Sequence, residues 1–245
     1  MRAFGREQEI AKKPDGSFVT ATDRAIEELV RAQIADRFPA HGAHGEEFGL
    51  ENEAADVRWY IDPIDGTHNY MRGIPLFGFL LAVERDGELQ AGVMSAPALG
   101  QRWYAARGMG AWTVSQGSPT VPTRLQVSGI DRVADAQILF RSVNDMHDSR
   151  VAAGYDRLIR QVWRERGFGD FWGYALVAAG AAEAMMEQKL GPWDLAAPWV
   201  IVEEAGGAVT DFEGRRSMAA GEGLASNGVI HSTVLDQLRG APTEG

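Results

Sequence analysis

Two aspartates three residues apart, Asp62 and Asp65, lie in the string Trp59-Tyr60-Ile61-Asp62-Pro63-Ile64-Asp65-Gly66-Thr67-His68-Asn69-Tyr70. A mostly apolar run from Val57 to Ile61 precedes them and reads as a buried strand ending on Asp62. Pro63 has no backbone N–H and cannot extend a central strand, so the chain is expected to turn there. Such a turn can aim both carboxylates at one point. Two ionised carboxylates held together repel each other unless a cation sits between them, and oxygen-only ligands suit a hard ion such as Mg²⁺. Gly66 and Thr67 follow directly. Glycine allows close backbone approach, and consecutive N–H groups at a turn or helix start form an anion site. Ligands for a metal and a cradle for a phosphate thus meet in one short segment.

The elements around this string must position it. Thr20-Ala21-Thr22-Asp23 leads into a helix with Ile26, Leu29, Val30, Ile34 and Phe38 on one apolar face, capped by Thr22 or Asp23 and closed by Pro39. Gly45-Glu46-Glu47-Phe48-Gly49 reads as a loop. After the central string come strands: Leu76 to Val83, a turn at Asp86-Gly87, Leu89 to Ser95, Gln101 to Ala105, Ala111 to Val114 and Gln137 to Phe140. Asp148 is expected to open a helix with Val151, Tyr155, Leu158, Ile159 and Val162 inward, and an Ala-rich helix to run through Met186. Asp194 would cap a helix that stops at Gly206-Gly207. Short strands follow at Ala208 to Asp211 and Leu224 to Ser226, then a last helix from Ser232 to Leu238.

The central string resembles the first signature of the inositol monophosphatase family of metal-dependent phosphatases, Asp-Pro-x-Asp-Gly-Thr-x-Asn-aromatic, with Tyr70 as the aromatic. Trp193-Asp194-Leu195-Ala196-Ala197, followed by Glu204-Ala205-Gly206-Gly207, resembles the second. Thr-Ala-Thr-Asp at 20–23 and Gly-Glu-Glu at 45–47 resemble the family's approach to its metal centre. Each has a plainer reading beside it: Asp23 and Asp194 as helix caps, Glu46 in a solvated turn. His41 and His44 have no matching imidazole set for a transition metal.

The resemblance implies a mixed α/β fold, a layered α-β-α-β-α sandwich of the sugar-phosphatase type. It would form a single phosphatase domain over 1–245, with an α+β half (about 1–118) and an α/β half (about 119–245) meeting in the Ser/Gly/Pro/Thr loop at 115–123. It implies two or three Mg²⁺ per active site: one held by Glu46, Asp62 and the Ile64 carbonyl, one by Asp62, Asp65 and Asp194, and a weaker third near Glu46. Phosphate would accept N–H bonds from Gly66 and Thr67. A water oriented by Glu46 and Thr67, with help from Asp23, would attack phosphorus, and no protein nucleophile is required. Family members usually carry a full helix before Thr20, and little more than its tail could be present here. Either the protein is short at that end or its start codon was placed late.

On the substrate side, Asp65, Asp170 and Glu187 are the candidates. Arg166-Gly-Phe-Gly169-Asp170-Phe171 resembles the Arg-x-x-Gly-Asp-aromatic string of the family's histidinol-phosphatase branch, as do Glu46 to Gly49 and Ser226-Asn227-Gly228 with His231. Glu187, seven residues before Asp194, matches a position that holds ring hydroxyls in inositol enzymes. An acid beside an acidic metal site calls for a cationic substrate group, unless Asp170 merely caps a helix starting at Phe171. The implied activity is Mg²⁺-dependent hydrolysis of L-histidinol phosphate. The alternatives are inositol-1-monophosphatase or a broad phosphatase of the same family, and, remotely, a silent metabolite-binding relative. Lithium sensitivity and a homodimer come with the family.

Bulk properties agree with a small-molecule enzyme. The chain has 245 residues, enough for a sizeable core. Its net charge of −10 argues against nucleic-acid and anionic-membrane partners. There is no cysteine, so disulfides and thiolate metal sites are excluded. No signal-peptide run and no spanning apolar stretch is present, so cytoplasm is the default.

Overall fold

The computed structural model describes residues 1, 4–5, 10–13, 18–115 and 121–240. Pro14-Asp15-Gly16, whose residue types signal a turn, and the centre of the 115–123 boundary loop lie outside them. A hairpin of β1 (Ile10–Lys12) and β2 (Phe18–Thr20) leads straight into α1 (Ala21–Arg37). β3 (Gly42–Gly45) and β4 (Gly49–Glu51) flank a turn at 46–48; β5 (Val57–Asp65) runs parallel to β3 and is followed by α2 (Thr67–Met71). An antiparallel meander of β6 (Gly78–Arg85), β7 (Glu88–Ala96), β8 (Gln101–Ala106), β9 (Ala111–Ser115) and β10 (Thr123–Arg124) completes an eight-stranded sheet, ordered β10-β9-β8-β7-β6-β5-β3-β4.

The rest of the chain builds a smaller sheet. Its elements are β11 (Gln137–Phe140), α3 (Val143–His147), α4 (Ala152–Ile159), β12 (Arg164–Arg166), α5 (Asp170–Ala178), β13 (Ala184–Gln188), α6 (Pro192–Glu204), β14 (Ala208–Thr210), β15 (Glu222–Ser226) and α7 (His231–Arg239). The five strands lie in the order β12-β11-β13-β15-β14.

Strand alternation sets the layers. Ile61 of β5 packs with Ile34 of α1, whereas its neighbour Tyr60 faces the large core shared with α5 and α6. In β13, Met185 faces that same core while Ala184 and Met186 pack with Tyr155 of α4 and Leu238 of α7. The order is therefore α1, large sheet, α5 and α6, small sheet, α4 and α7, the five layers expected. The Ala196-Ala197 pair lets α6 press onto β7: a Cβ on Gly92 would lie 2.8 Å from the Ala197 carbonyl oxygen. That contact fixes the height of the helix that carries Asp194.

Several local readings change. β5 does not stop at Asp62. It continues through Pro63 because a register shift between Asp62 and Asp65 carries the proline past the ladder, so its missing N–H costs no bond. The cap of α1 is Thr20, with Asp23 answering as the other half of a capping box. Leu29 and Phe38 are exposed, and the buried face of α1 carries Asp23 and Glu27 beside Ile34. Asp148 ends α3 rather than opening a helix. The Ala-rich helix stops at Ala178, and Ala184–Gln188 is a central strand whose apolar start, Ala184 to Met186, is buried on both faces.

Candidate active site

The ends of β5, α5 and α6 converge on one point. Asp62 and Asp65 stand at the end of β5 and Asp194 in the first turn of α6, and one oxygen of each lies within 4.8 Å of the others. Each is anchored through one carboxylate oxygen. Asp62 Oδ1 accepts the Ile64 N–H at 3.0 Å, Asp65 Oδ2 the Phe171 N–H at 2.5 Å, and Asp194 Oδ2 the Gly191 N–H at 2.6 Å. Asp23 follows the same plan: Oδ2 accepts the N–H and hydroxyl of Thr20 at 2.8 and 2.5 Å, and Oδ1 is buried with no hydrogen-bond partner among the described residues. Capping is therefore real for Asp23 and Asp194 and uses one oxygen of each; of the two, only Asp194 also belongs to the aspartate cluster.

Glu46 sits in the turn between β3 and β4. Its N–H donates to the Ile61 carbonyl at 3.2 Å, and its carboxylate accepts from Lys13 Nζ at 2.8 Å. Lys13 also donates to Glu47 at 2.6 Å. Gly66 holds φ at 80°, and a Cβ there would meet the Leu76 carbonyl oxygen at 3.0 Å and Asp170 Oδ2 at 3.4 Å. Thr67 is the first residue of α2, where backbone N–H groups have no intrahelical acceptor. Its hydroxyl donates to the Ile64 carbonyl at 2.9 Å.

Glu46, Asp62, Ile64, Asp65, Gly66, Thr67 and Asp194 all line one cavity of about 1070 Å³. Asp170, Phe168, Trp172 and Arg141 line it too, and Asp170 Oδ2 lies 3.5 Å from Asn69 Nδ2. Asp23 and Glu187 do not reach this wall. Glu187 is buried behind Arg141, whose Nη1 lies 3.5 Å from it. Arg141 also donates to Asp145 at 3.2 Å and to the Gln188 carbonyl at 2.6 Å. Asp170 is not a cap: it makes no side-chain cap bond at the start of α5, and the Phe171 N–H goes to Asp65 instead. Its φ of 57° is left-handed, a conformation Asp tolerates better than most residues. Sequence reasoning missed Lys13, Glu27 and Arg141. For Arg141 the available signal was its place directly after the apolar strand Gln137–Phe140, where site residues gather in such sheets.

The electrostatics favour either protonation or a bound cation. Burial pushes the Asp62 carboxyl well above its ordinary range, and Glu46, Asp65 and Asp194 push it the same way. Burial also raises Asp65 well above normal, helped by Asp170, Asp194 and Glu187. Asp194 is pushed up to about 7 by burial and by Glu46. Buried like charges of this kind ionise together only when a positive charge is brought to them.

A model described as the inositol monophosphatase family matches residues 1–242. The chain belongs to the inositol monophosphatase family. It is 41% identical over 233 residues to a histidinol-phosphatase of Streptomyces coelicolor, covering 94% of this chain and 86% of that protein. It is 32% identical to an inositol-1-monophosphatase of Mesorhizobium japonicum, covering 97% and 90%. Its fold is that of a Thermotoga maritima IMPase, with a TM-score of 0.85 at 32% identity, covering 98% of this chain and 91% of that one. This inositol monophosphatase relative is thus a phosphatase of a metal-dependent family, and its donors fit that dependence. They are all oxygens, clustered, buried or half-buried, and mutually repulsive. Among the described residues, no helix is long and apolar enough to cross a membrane.

Proposed function

We propose that this phosphatase hydrolyses L-histidinol phosphate to L-histidinol in a Mg²⁺-dependent reaction. The observation that carries the substrate is Asp170. It lines the cavity beside the aspartate cluster, close to Gly66 and Asn69, within a string that resembles that of the histidinol-phosphatase branch. The 41% identity to a protein of that name, against 32% for the inositol-1-monophosphatase, supports the same choice.

Glu46, Asp62, Asp65, Asp194 and the Ile64 carbonyl would hold two or three Mg²⁺, with Asp62 shared. When bound, such ions stabilise charge on the attacking and leaving oxygens of an in-line displacement. The protein's own groups do the rest. Gly66 and Thr67 donate backbone N–H groups to the phosphate. Glu46 and the Thr67 hydroxyl orient the attacking water, with help from Asp23, whose Oδ1 has no partner among the described residues. Asp65 and Asp170 border the leaving alcohol, where Asp170 pairs with its ammonium or imidazolium group. Glu187 acts on that side through Arg141. A cytoplasmic homodimer inhibited by Li⁺ completes the reading.

The deciding experiment is a side-by-side measurement of kcat/KM in Mg²⁺ for histidinol phosphate, inositol 1-phosphate, fructose 1,6-bisphosphate and adenosine 3′,5′-bisphosphate. Histidinol phosphate should lead. Preference for inositol 1-phosphate would transfer the protein to that activity. No turnover of any phosphomonoester would identify a silent metabolite-binding relative.

A further inference from the structure

Glu27 lies one turn after Asp23 on the same face of α1 and is completely buried. A buried carboxylate is retained only with partners, and those of Glu27 are specific. Oε2 accepts the backbone N–H of Glu47 at 2.8 Å, and Oε1 accepts that of Phe48 at 3.3 Å. Oε1 also accepts from Arg31 Nε at 2.8 Å. Arg31 in turn donates to the Gly49 carbonyl at 2.5 Å and to Glu51 at 3.1 Å. The clamp therefore spans the whole turn from β3 to β4.

Glu46 stands inside that clamp. Its own N–H is held by the Ile61 carbonyl, and the next N–H along the chain, that of Glu47, is held by Glu27. Both peptide groups of Glu46 are thereby fixed. Gly45 makes the arrangement possible, because a Cβ there would fall 2.0 Å from Glu27 Oε1. The side chains of the turn do not hold it by themselves: the Phe48 ring is exposed and the Glu47 carboxylate pairs with Lys13, so the backbone N–H groups of both rely on Glu27. Glu27 itself does not line the cavity.

We infer that Glu27 is a positioning residue for the cation site: its buried carboxylate pre-organises the 46–48 turn so that Glu46 meets Mg²⁺ without an ordering cost. The inference rests on the proposed Mg²⁺ site. Second-sphere partners of this kind commonly set metal affinity by about 10- to 100-fold. Glu27→Gln keeps size and one acceptor but presents an NH₂ where an acceptor is needed. Gly45→Ala leaves the charge intact and displaces it.

The test is Mg²⁺ titration of the metal-free protein by calorimetry, together with backbone amide exchange at Glu47 and Phe48. In both variants the two amides should lose protection and Mg²⁺ binding should weaken by about tenfold or more. Excess Mg²⁺ should then restore turnover with the substrate KM unchanged. Should Glu27→Gln not fold, Gly45→Ala carries the same readouts. Parent-like Mg²⁺ affinity in a folded variant with unprotected amides overturns the inference. Failure of the underlying site would look different: the parent protein itself would bind no Mg²⁺.

Discussion

The Asp65 carboxylate accepts the backbone N–H of Phe171 at 2.5 Å, so the cap of α5 comes from β5, 106 residues earlier. Phe171 is fully buried, and its ring closes on Gly78, where a Cβ would lie 3.0 Å away. One hydrogen bond to a charged acceptor, typically ~1.5–3 kcal/mol, therefore ties the aspartate cluster to the helix that borders the substrate side. Because Asp65 takes the capping role, the Asp170 carboxylate does not cap α5; it lines the cavity and its Oδ2 accepts from Asn69 Nδ2 at 3.5 Å. The two sides of the site are registered on each other by this contact.

Activity should vanish after dialysis against a chelator and return with Mg²⁺. Asp62 faces Glu46, Asp65 and Asp194 together. Asp62→Asn should therefore cost on the order of 100-fold in kcat, about 2.7 kcal/mol of barrier. Steady-state turnover of histidinol phosphate reports both effects. Full activity in excess chelator would refute a metal-dependent mechanism.

The stability of the metal-free protein should depend on pH through the same cluster. Asp194 is raised to about 7 when folded, against ~4 in an unfolded chain. Between those values the folded state binds more protons, so stability is present at low pH and is lost as pH rises toward 7. Asp62 and Asp65 are displaced in the same direction. His231 opposes this: burial holds it down at about 4, so protonation in the unfolded state lowers stability below pH ~6.5. Asp194→Asn removes the first slope and keeps the second. In chelator, the excess of its Tm over the parent's should widen from pH 5 to pH 8, and Mg²⁺ should close it. A gap that stays constant with pH would remove this assignment.

Much of the site could be read from residue types, and the reason is local. Asp62, Asp65, Gly66 and Thr67 are adjacent in the chain, so one strand end and one turn bring them together. Asp23 and Asp194 sit in the first turns of helices, where a capping carboxylate engages only one of its oxygens. What stayed hidden depends on tertiary neighbours. Glu27 looks like part of a solvated helix face until the 46–48 turn packs on it. Asp170 looks like a cap until Asp65 arrives from another layer. Pro63 looks like a strand end until a register shift accommodates it. β12, Arg-Glu-Arg, has no apolar pattern because it is an edge strand with only one neighbour.

Thr67→Ala should lower kcat far more than it changes KM. The hydroxyl bonds the Ile64 carbonyl and is assigned to orient the attacking water, an interaction that matters mainly in the transition state. Alanine keeps the backbone N–H assigned to the phosphate. Michaelis–Menten analysis separates the two; an unchanged kcat with a raised KM would reverse the assignment.

Asp170→Asn tests the substrate assignment most sharply. Asn tolerates the φ of 57° that Asp170 adopts, and the cap of α5 belongs to Asp65, so the backbone should survive the change. Only the charge is removed. Sequence reasoning held that an acid here needs a cation from the substrate, but the structure supplies part of that cation itself. Burial raises the Asp170 carboxyl, and the nearby Arg141 and His68 offset it. A charge-assisted contact is worth ~1.5–3 kcal/mol, roughly ten- to hundredfold. With Arg141 already sharing Asp170, the lower end applies. Asp170→Asn should therefore reduce kcat/KM for histidinol phosphate by about tenfold. Hydrolysis of a phosphomonoester of a neutral alcohol, such as inositol 1-phosphate, should persist at the parent rate. The ratio of the two kcat/KM values is the measurement. If both substrates respond equally, or neither responds, Asp170 does not read the cation and the inositol activity becomes the better assignment.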